Sequence, residues 1–571
     1  MSVGKVFART SPRKSSMRSE MTDRRKSLIL CGVLLVCGAR AQQSTPADQA
    51  VDRAIVRESA LLQVLQSAAP VAETYIQSMV PDNDLGTVPA ADHYFLGKID
   101  LSHGLNQTSY LPKSGNGPKS FDLFSRFFTI RYLPRGFAQM MLIDSGEFDR
   151  AHYDFEFRRR EFLGDVRTYV FAVSPHKGLP PGRFEGDIWI EDKGFNIVRF
   201  NGTYSGSSAS HMYLHFDSWR VNSGPDLWLP FEVYSEESHF TDSAVKTHTA
   251  HFKALTRFWG YGGASERAGG ELTTLTVETG PVEDKSPDAA GPSPVESLRA
   301  WQRQAEDNTL ERLERAGLLA KHGGIDKVVD TVVNNLAVTN DLNLVPEVRA
   351  RVLLTTPIES FTVGRTIVVS RGMLDTLPDE ASLAAILAHE LAHIVLGHAS
   401  ATDFAFADRM RIDDARIVEH LRLSHTAAEE DAANAKAFQM LLKSPYKEKL
   451  GQAGLFLKAL SNESNRLPSL IKPLFGDKLV EGHNVLHMAA LMENAPQLES
   501  ARVDQIAALP LGSHTQLDPW TDDLEMVVMR AVPLTAAREK MPFEITPVYL
   551  HLTYQDARSK QVAEKQPASG N

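Results

Sequence analysis

The pattern of hydrophobic and polar positions changes character near residue 80. Between residues 42 and 80, apolar residues such as Leu61 and Leu65 recur at helical spacing, which predicts a helical N-terminal segment. From 81 to 260 the pattern becomes one of short alternating runs, separated by turns rich in Gly, Pro, Asn and Ser. Repeated short strands with such turns predict an antiparallel sheet or half-barrel domain.

The second half of the chain predicts a different architecture. Residues 261–294 are rich in Gly, Ser, Pro and charge, and they predict a linker. Helical spacing then resumes, which predicts a core over 295–450 and a helical and mixed C-terminal region over 451–571 that completes it. The β-branched run 366–370 predicts a small sheet whose edge can accept an extended peptide as an added strand. The predicted fold class is therefore α+β, with an antiparallel β domain ahead of a mostly helical one.

The first 41 residues have the features of a secretory signal with an upstream extension. Basic residues 24–26 precede the apolar run 28–37, and Ala39-Arg40-Ala41 forms a small-residue cleavage site. A retained anchor is the less favoured interpretation, because so short an apolar run does not span the roughly 30 Å core of a bilayer. We therefore expect an exported protein, periplasmic or in the cell envelope, that is soluble or peripherally associated with membranes or lipoproteins.

Composition narrows the class of protein further. The 571 residues contain 61 Lys and Arg against 71 Asp and Glu, a net charge of −10. This balance argues against nucleic-acid binding, because that function needs a basic face. Both cysteines, Cys31 and Cys37, lie in the predicted signal, so the mature chain offers neither a cysteine metal cluster nor a disulfide.

The strongest chemical signal is the sequence His389-Glu390-Leu391-Ala392-His393, which lies in a stretch of good helix formers. On a helix the two histidines are one turn apart on the same face, where two neutral imidazoles can bind one Zn²⁺. Glu390 lies one position round the helix, so we expect it to act as general base on a water that the metal activates. An accidental match is not expected inside a Leu-, Ala- and Ile-rich helix, because buried histidines need partners.

A second helical stretch, 429–438, provides a carboxylate for a third metal ligand. It begins with Glu429 and Glu430, and its alanines allow another helix to approach closely. One of these carboxylates would complete a His₂Glu site and leave one metal position open for water and substrate.

The block 351–442 resembles the HtpX and CAAX-prenyl-protease type of zinc metallopeptidases, whose members include membrane-bound and periplasmic quality-control proteases. The resemblance is carried by 367–374, Glu380, 383–393 and His398. It implies a zincin-like peptidase domain of the gluzincin kind, with one Zn²⁺ per chain.

In that family the third ligand is a glutamate, followed four residues later by an aspartate in an alanine-rich helix. The resemblance therefore assigns His389, His393 and Glu430 as metal ligands, with Glu429 as the alternative third ligand. Asn434 stands in the aspartate's place. Its amide is expected to hydrogen-bond a ligand histidine, but it lacks the negative charge that raises the basicity of such a ligand. Metal affinity or activity is then expected to be lower than the family's.

The chain departs from the family a second time, further along. Family members commonly have a His-Pro pair shortly before an arginine, whereas here Ala495-Pro496 precedes Arg502. His483, His487 and His514 are alternatives for that place in the cleft, although a solvent-facing or structural role is the favoured interpretation for each.

Together these residues predict an exported zinc-dependent metalloendopeptidase that hydrolyses peptide bonds in proteins or peptides, in envelope protein quality control. The alternative is an attenuated chaperone-like or lipoprotein- and lipid-binding module, favoured by Asn434 and the missing His-Pro pair. Its β domain would hold the client, since the hairpin 184–199 resembles bacterial lipoprotein-carrier half-barrels. A third hypothesis, a purely structural metal, requires a fourth protein ligand, for which the spacing of residues offers no candidate.

Overall fold

The computed structural model describes residues 46–82, 86–112, 134–206, 213–241, 249–262, 294–344, 347–399, 414–499, 501–503, 505, 511–512, 514–527, 540 and 543–555. All of them belong to one compact unit, Pro46–Asn571. The predicted signal and almost all of the predicted linker lie outside the described residues. The described elements confirm the predicted α+β class, with an antiparallel sheet ahead of a mostly helical part.

The N-terminal part is built on one antiparallel sheet of ten strands. The strands are β1 (Val71–Asp82), β2 (Gly86–Asp100), β3 (Asn106–Ser109), β4 (Tyr153–Leu163), β5 (Val166–Pro175), β6 (Phe184–Glu191), β7 (Ile197–Tyr204), β8 (Phe216–Gly224), β9 (Leu227–Thr241) and β10 (Thr249–Trp259). Their order across the sheet is β3-β2-β1-β10-β9-β8-β7-β6-β5-β4. Strands β3 and β4 are therefore its two edges, and β1 lies in its interior.

Both faces of this sheet are covered. Helices α1 (Pro46–Ala68) and α2 (Pro134–Gln139) lie on one face, where Leu65 packs in an apolar core with Ile76. The neighbouring residue Tyr75 points to the other face and belongs to the core that the sheet shares with the helical part. Alternating residues of one strand therefore join two different cores.

The prediction of a helix over 42–80 is wrong beyond Ala68, because Val71–Asp82 is strand β1. Helix α1 ends at Ala68; the next residue, Ala69, adopts a left-handed φ of 46°, and Pro70 follows it. The apolar residues of β1 do not alternate with polar ones, because both faces of the strand are buried. Such a run imitates helical spacing.

The C-terminal part is mostly helical. Its helices are α3 (Pro294–Arg315), α4 (Gly324–Thr339), α5 (Arg371–Thr376), α6 (Glu380–Leu396), α7 (Asp414–His420), α8 (Ala427–Lys443), α9 (Leu450–Glu463) and α10 (Pro468–Ile471), with 3₁₀ turns at Lys447–Lys449 and Ala489–Met492. Two short hairpins accompany them, β14 (Val480–Glu481) with β15 (Asn484–Val485), and β16 (Thr515–Leu517) with β17 (Leu524–Met526).

A three-stranded sheet precedes the helix that carries the metal-binding sequence. It consists of β11 (Arg349–Leu353), β12 (Ser360–Val363) and β13 (Thr366–Ser370). The prediction that 366–370 forms a free edge is wrong, because β13 is the middle strand, parallel to β11 and antiparallel to β12. Strand β12 is an edge, but the backbone of Gly476 lies against it, so close that a Cβ there would be 2.6 Å from the Ser360 oxygen.

Buried polar contacts join the large sheet to the helical part. The Glu73 carboxylate of β1 accepts hydrogen bonds from the Thr356 backbone N–H and hydroxyl, at 2.5 and 2.7 Å. Arg257 of β10 donates to Thr356 at 3.3 Å, and the Trp259 indole donates to the Gly317 carbonyl at 2.7 Å. Buried charges of this kind are costly to separate from their partners. The two predicted domains therefore pack as one folded unit.

The last described segment, 543–555, returns to the large sheet. The Ile545 N–H donates to Gln77 of β1 at 2.9 Å, and the Asp165 N–H donates to the Leu552 carbonyl at 2.9 Å. The predicted C-terminal region, 451–571, therefore also contacts the large sheet. Within the described residues, no helix combines the length and apolar character needed to cross a bilayer.

Candidate metal centre

Helix α6 carries the His-Glu-x-x-His sequence through the interior of the helical part. It begins after Asp379, whose carboxylate accepts from the Ser382 N–H at 2.8 Å, and it ends at Gly397, which has a left-handed φ of 72°. Every residue from Ala381 to His393 is buried. A helix that is buried all round explains the uninterrupted Ala, Leu and Ile of its sequence.

Two histidines of α6 and one glutamate of α8 converge on a single point. His389 Nε2 and His393 Nε2 lie 3.1 Å apart. Glu430, in the first turn of α8, places Oε2 3.3 Å from His389 Nε2 and Oε1 3.3 Å from His393 Nε2. Helix α8 packs against α6, and the small side chains of Ala433 and Ala437 on α8 are buried. The structure thus brings together the three ligands that the family resemblance assigned.

Glu429, the alternative third ligand, caps the N-terminus of α8 instead. Its carboxylate accepts from the Thr426 N–H at 2.9 Å and from the Thr426 hydroxyl at 2.8 Å. These two contacts complete a capping box, in which helix-start donors are satisfied reciprocally. Glu430 is therefore the carboxylate that faces the two imidazoles.

The arrangement of these side chains fits a bound zinc ion. The side chains of His389 and His393 are only 2% and 1% exposed, and that of Glu430 is 16% exposed. Among the described residues, neither Glu430 oxygen has a hydrogen-bond partner, although both lie within 3.3 Å of an imidazole nitrogen. Donor atoms that face a common point without bonding one another are typical of metal ligands. Ligand atoms around a tetrahedral zinc are themselves about 3.3 Å apart.

The ionisation of the ligands also suits a cation. Burial, together with the charge of His487, lowers the pKa of His389 to about 3, so its imidazole is neutral as a metal ligand must be. Burial acts to raise the pKa of Glu430, but the facing imidazoles of His389, His393 and His487 outweigh burial and hold that pKa well below its usual value. The centre therefore presents a neutral His389 imidazole and an ionised Glu430 carboxylate.

Glu390 lies beside these ligands and is held by a strand of the small sheet. Its carboxylate is buried and accepts a hydrogen bond from the Ser360 hydroxyl of β12 at 2.7 Å. Burial raises the pKa of Glu390, whereas His393 and the Ser360 hydrogen bond act to lower it, and the net shift is upward. A carboxylate with a raised pKa is better suited to general base catalysis near neutral pH than an ordinary one.

His487 lies at the centre, contrary to the prediction of a solvent-facing or structural role. Its Nε2 is 2.8 Å from Glu430 Oε2, and its ring stacks on His389 with centroids 4.1 Å apart. His389, Glu430 and His487 form a group that could hold a metal ion. His487 is therefore a further imidazole beside Glu430 that the spacing of residues did not reveal. The signal in the sequence was its position, in the region where the family has its His-Pro pair.

The prediction that Asn434 hydrogen-bonds a ligand histidine of α6 is wrong. Asn434 instead holds the segment that carries His487. Its amide Nδ2 donates to the Leu486 carbonyl at 2.9 Å, and its Oδ1 accepts from the Met488 N–H at 2.7 Å. These two backbone groups flank His487 on either side. An amide is the side chain that satisfies both, because it offers a donor and an acceptor side by side.

His425 is a further imidazole at the centre, for which the sequence provided no spacing argument. Its ring stacks on His393 with centroids 3.8 Å apart, and its Nδ1 lies 2.9 Å from Asp477 Oδ2 and 3.7 Å from Glu430 Oε1. Burial acts to lower the pKa of His425, but Asp477 outweighs it and raises that pKa. His398 contacts His393 from the other ring nitrogen, with the two Nδ1 atoms 2.9 Å apart, as a residue that supports a metal-binding histidine would.

The centre opens into a cleft of about 870 Å³. Residues of both the large sheet and the helical part line this cleft, among them Tyr94, Leu111, His425, Glu430, Leu474 and His487. Through Glu430, His425 and His487 the cleft reaches the centre.

Comparison with known proteins agrees with this site. Residues 326–444 match Peptidase family M48, a stretch that contains His389, Glu390, His393 and Glu430. The match confirms the family resemblance inferred from the sequence and supports a metallopeptidase.

Two further comparisons add little to that match. No curated protein was found to match the chain. A similar solved structure is that of the LolA superfamily protein NE2245 from Nitrosomonas europaea, with 13% sequence identity and a TM-score of 0.19, covering 37% of this chain and 90% of that chain. A TM-score this low does not establish a shared fold. The architecture of the large sheet is therefore defined by its own strand pairing.

Proposed function

We propose that the protein is an exported zinc endopeptidase that cleaves polypeptides in the cell envelope, in protein quality control. The observation that carries the proposal is the convergence of His389, His393 and Glu430 beside the buried carboxylate of Glu390. The match of the same residues to Peptidase family M48 supports it.

The residues of the centre divide the work of peptide hydrolysis between them. A zinc ion held by His389, His393 and Glu430 would polarise the scissile carbonyl and lower the pKa of water to about 7. Glu390 accepts a proton from the attacking water and delivers it to the leaving amine. The Ser360 hydroxyl orients Glu390 through its hydrogen bond to Oε1. Burial of Glu390 keeps bulk water from competing for that proton.

Export and action within polypeptide chains are supported by other features. The signal-like residues 1–41 support export, and an open cleft of about 870 Å³ supports cleavage within a chain over removal of terminal residues. Sequencing the N-terminus of the mature protein tests the export step: it should begin at Gln42, and an intact N-terminus on protein recovered from the cytoplasm would contradict it.

Replacing the proposed base tests the enzymatic proposal. Glu390→Gln should keep its zinc, measured by mass spectrometry, while casein hydrolysis falls by about 10²–10⁴-fold. The matched control is Glu429→Gln, which changes a neighbouring glutamate that faces away from the centre. A chelator should abolish the wild-type activity and added zinc should restore it. Full activity in purified Glu390→Gln protein would overturn the assignment of the base.

A second candidate function, the attenuated chaperone-like or lipid-binding module, is favoured by the position of His487. With its Nε2 2.8 Å from Glu430, the centre has four protein donors, and a zinc with four protein ligands is typical of a structural site. Binding of unfolded clients that persists after chelation, together with no cleavage of any protein, would favour this module over the peptidase.

A further inference from the structure

The large sheet contributes directly to the wall of the cleft. Tyr94 of β2 and Leu111, just after β3, line the same cleft as His425 and Glu430. The Tyr94 hydroxyl donates to Glu73 at 2.8 Å, and the neighbouring Tyr110 hydroxyl donates to the Ala316 carbonyl at 3.0 Å. These bonds fix the sheet side of the cleft to the rest of the molecule.

A second part of the cleft wall is also held by the sheet. Asp92 of β2 accepts hydrogen bonds from the backbone N–H groups of Ser469 and Leu470 in α10, each at 2.8 Å. The chain leaves α10 into the segment that contains Lys472 and Leu474, both of which line the cleft. Because one strand supplies Tyr94 and anchors this segment, the sheet determines the width of the cleft.

The second anchor of this wall lies in the small sheet. The buried Glu359 carboxylate accepts from the N–H groups of Leu474 and Phe475, each at 2.9 Å. The wall is therefore clamped at both ends, by Asp92 and by Glu359. A clamped wall favours a cleft that is formed before substrate arrives.

The cleft is lined by both apolar and charged side chains. Leu111 and Leu474 are half-buried, and both line it. Its acidic lining residues are Asp431, and Glu430 and Asp477, whose carboxylates face imidazoles. Its basic lining residues, Arg422, Lys472 and Lys478, are exposed, but Lys478 pairs with Glu481 at 2.5 Å and Arg422 donates to backbone carbonyls. Among these described lining residues, Lys472 is therefore the cation available to a ligand.

We propose that the cleft wall which the large sheet lines and anchors selects the substrate of the enzyme, and that it favours polypeptides with a bulky apolar residue followed or preceded by an acidic one. The apolar side chain lies between Leu111 and Leu474, and the acidic one faces Lys472. The occupant is an extended polypeptide, because His425, Glu430 and His487 of the proposed peptidase centre line the same cleft. This inference rests on the proposed function and gives the sheet a role in it.

The test uses short quenched-fluorescent peptides that differ only in two positions beside the cleaved bond. The first set carries Phe with Glu, the second Phe with Lys, and the third Ser with Glu. Wild-type kcat/KM should be highest for Phe with Glu. Replacing Phe by Ser should lower it by about tenfold or more, since burial of an aromatic side chain is lost. Replacing Glu by Lys should lower it by about fivefold, as for an exposed ion pair.

Two variants assign this preference to the cleft. Leu111→Ala should remove most of the discrimination between Phe and Ser, mainly through KM. Lys472→Glu should reverse the preference between Glu and Lys peptides, which a merely structural role would not do. The control is Phe162→Ala, an exposed apolar residue on the far edge strand β4, which should leave all three rates unchanged. Circular dichroism and thermal melts check that each variant is folded.

Binding of the same peptides to Glu390→Gln separates this inference from the proposed function. If the wild type cleaves nothing but Glu390→Gln binds the peptides in the predicted order, the endopeptidase proposal fails and the selecting role of the sheet stands. If the wild type cleaves every peptide equally and neither variant changes the pattern, the inference is overturned and the endopeptidase proposal stands. Competition by a fatty acid stronger than by any peptide would also overturn it, by assigning the cleft to an acyl chain.

Discussion

Asn434→Asp tests whether the segment around His487 controls the metal centre. The wild-type amide donates to the Leu486 carbonyl at 2.9 Å and accepts from the Met488 N–H at 2.7 Å. An aspartate keeps the second contact but loses the first, and it places a carboxylate oxygen beside the Leu486 carbonyl oxygen. The substitution therefore weakens the attachment of His487 while changing no ligand of the centre. It also restores the residue that the family has at this position.

The size of the effect follows from these contacts. Loss of one hydrogen bond costs about 0.5–1.5 kcal/mol, and the facing oxygens add to that loss. A total of about 1–2 kcal/mol changes the ratio of held to released His487 by roughly five- to thirtyfold. If His487 occupies the position that substrate needs, release of His487 raises kcat/KM for a quenched peptide by up to that factor. The zinc, having lost a fourth donor, should also be removed faster by a chelator.

The assay measures peptide hydrolysis and the rate of zinc loss to a chromogenic chelator in the same preparations. His487→Ala should raise kcat/KM and the rate of zinc loss at least as much as Asn434→Asp does. Asn465→Asp is the matched control, since it makes the same charge change beside an exposed histidine, His483, away from the centre. A lower kcat/KM in both Asn434→Asp and His487→Ala would refute the reasoning, because it would mean that His487 assists the reaction.

Three further predictions concern ligand assignment and stability. Glu430→Ala should lose its zinc while Glu429→Ala keeps it, measured by mass spectrometry; equal metal content in both would contradict the third ligand. Burial raises the pKa of Glu359 to about 7, so the folded chain retains a proton that the unfolded chain releases. Relative to Glu359→Gln, the wild type should lose on the order of 3 kcal/mol of unfolding free energy as pH rises from about 4.5 to 7. Urea unfolding of both proteins across that pH range checks this prediction. Unfolding free energies that change in parallel with pH in the two proteins would disprove it. Glu58→Ala should cost about 3–5 kcal/mol, because Arg220, only 1% exposed, loses the carboxylate bonded at 2.6 and 2.7 Å; a cost below about 1 kcal/mol in urea unfolding would show that Arg220 finds another partner.

Local spacing made part of the centre predictable. His389 and His393 are one helical turn apart, so any helix at this point brings their rings together, as the 3.1 Å between the Nε2 atoms shows. Glu430 was identified through the family resemblance and not through spacing alone, since Glu429 is its neighbour. What separates the two is the capping contact of Glu429 with Thr426, which forms only once α8 begins where it does.

The misassigned strand β1 shows where a periodic pattern fails. Tyr75 and Ile76 are adjacent and both buried, because the sheet has α1 on one face and the helical part on the other. A strand with two buried faces carries no alternation of polar and apolar residues, and its pattern then resembles that of a helix. Only the partners on both sides distinguish the two, and these partners are far away in the chain.

The sequence by itself determined the class of fold, the helix with its two histidines and general base, and the chemistry that a zinc would support there. These depend on residues within a few turns of one another, whose relative positions follow from the helix itself. The tertiary structure alone decided that His487 and His425 face Glu430, that Asn434 holds the His487 segment, and that the large sheet forms a wall of the cleft. These contacts join residues far apart in the chain, so their geometry depends on how separate elements pack and not on local spacing.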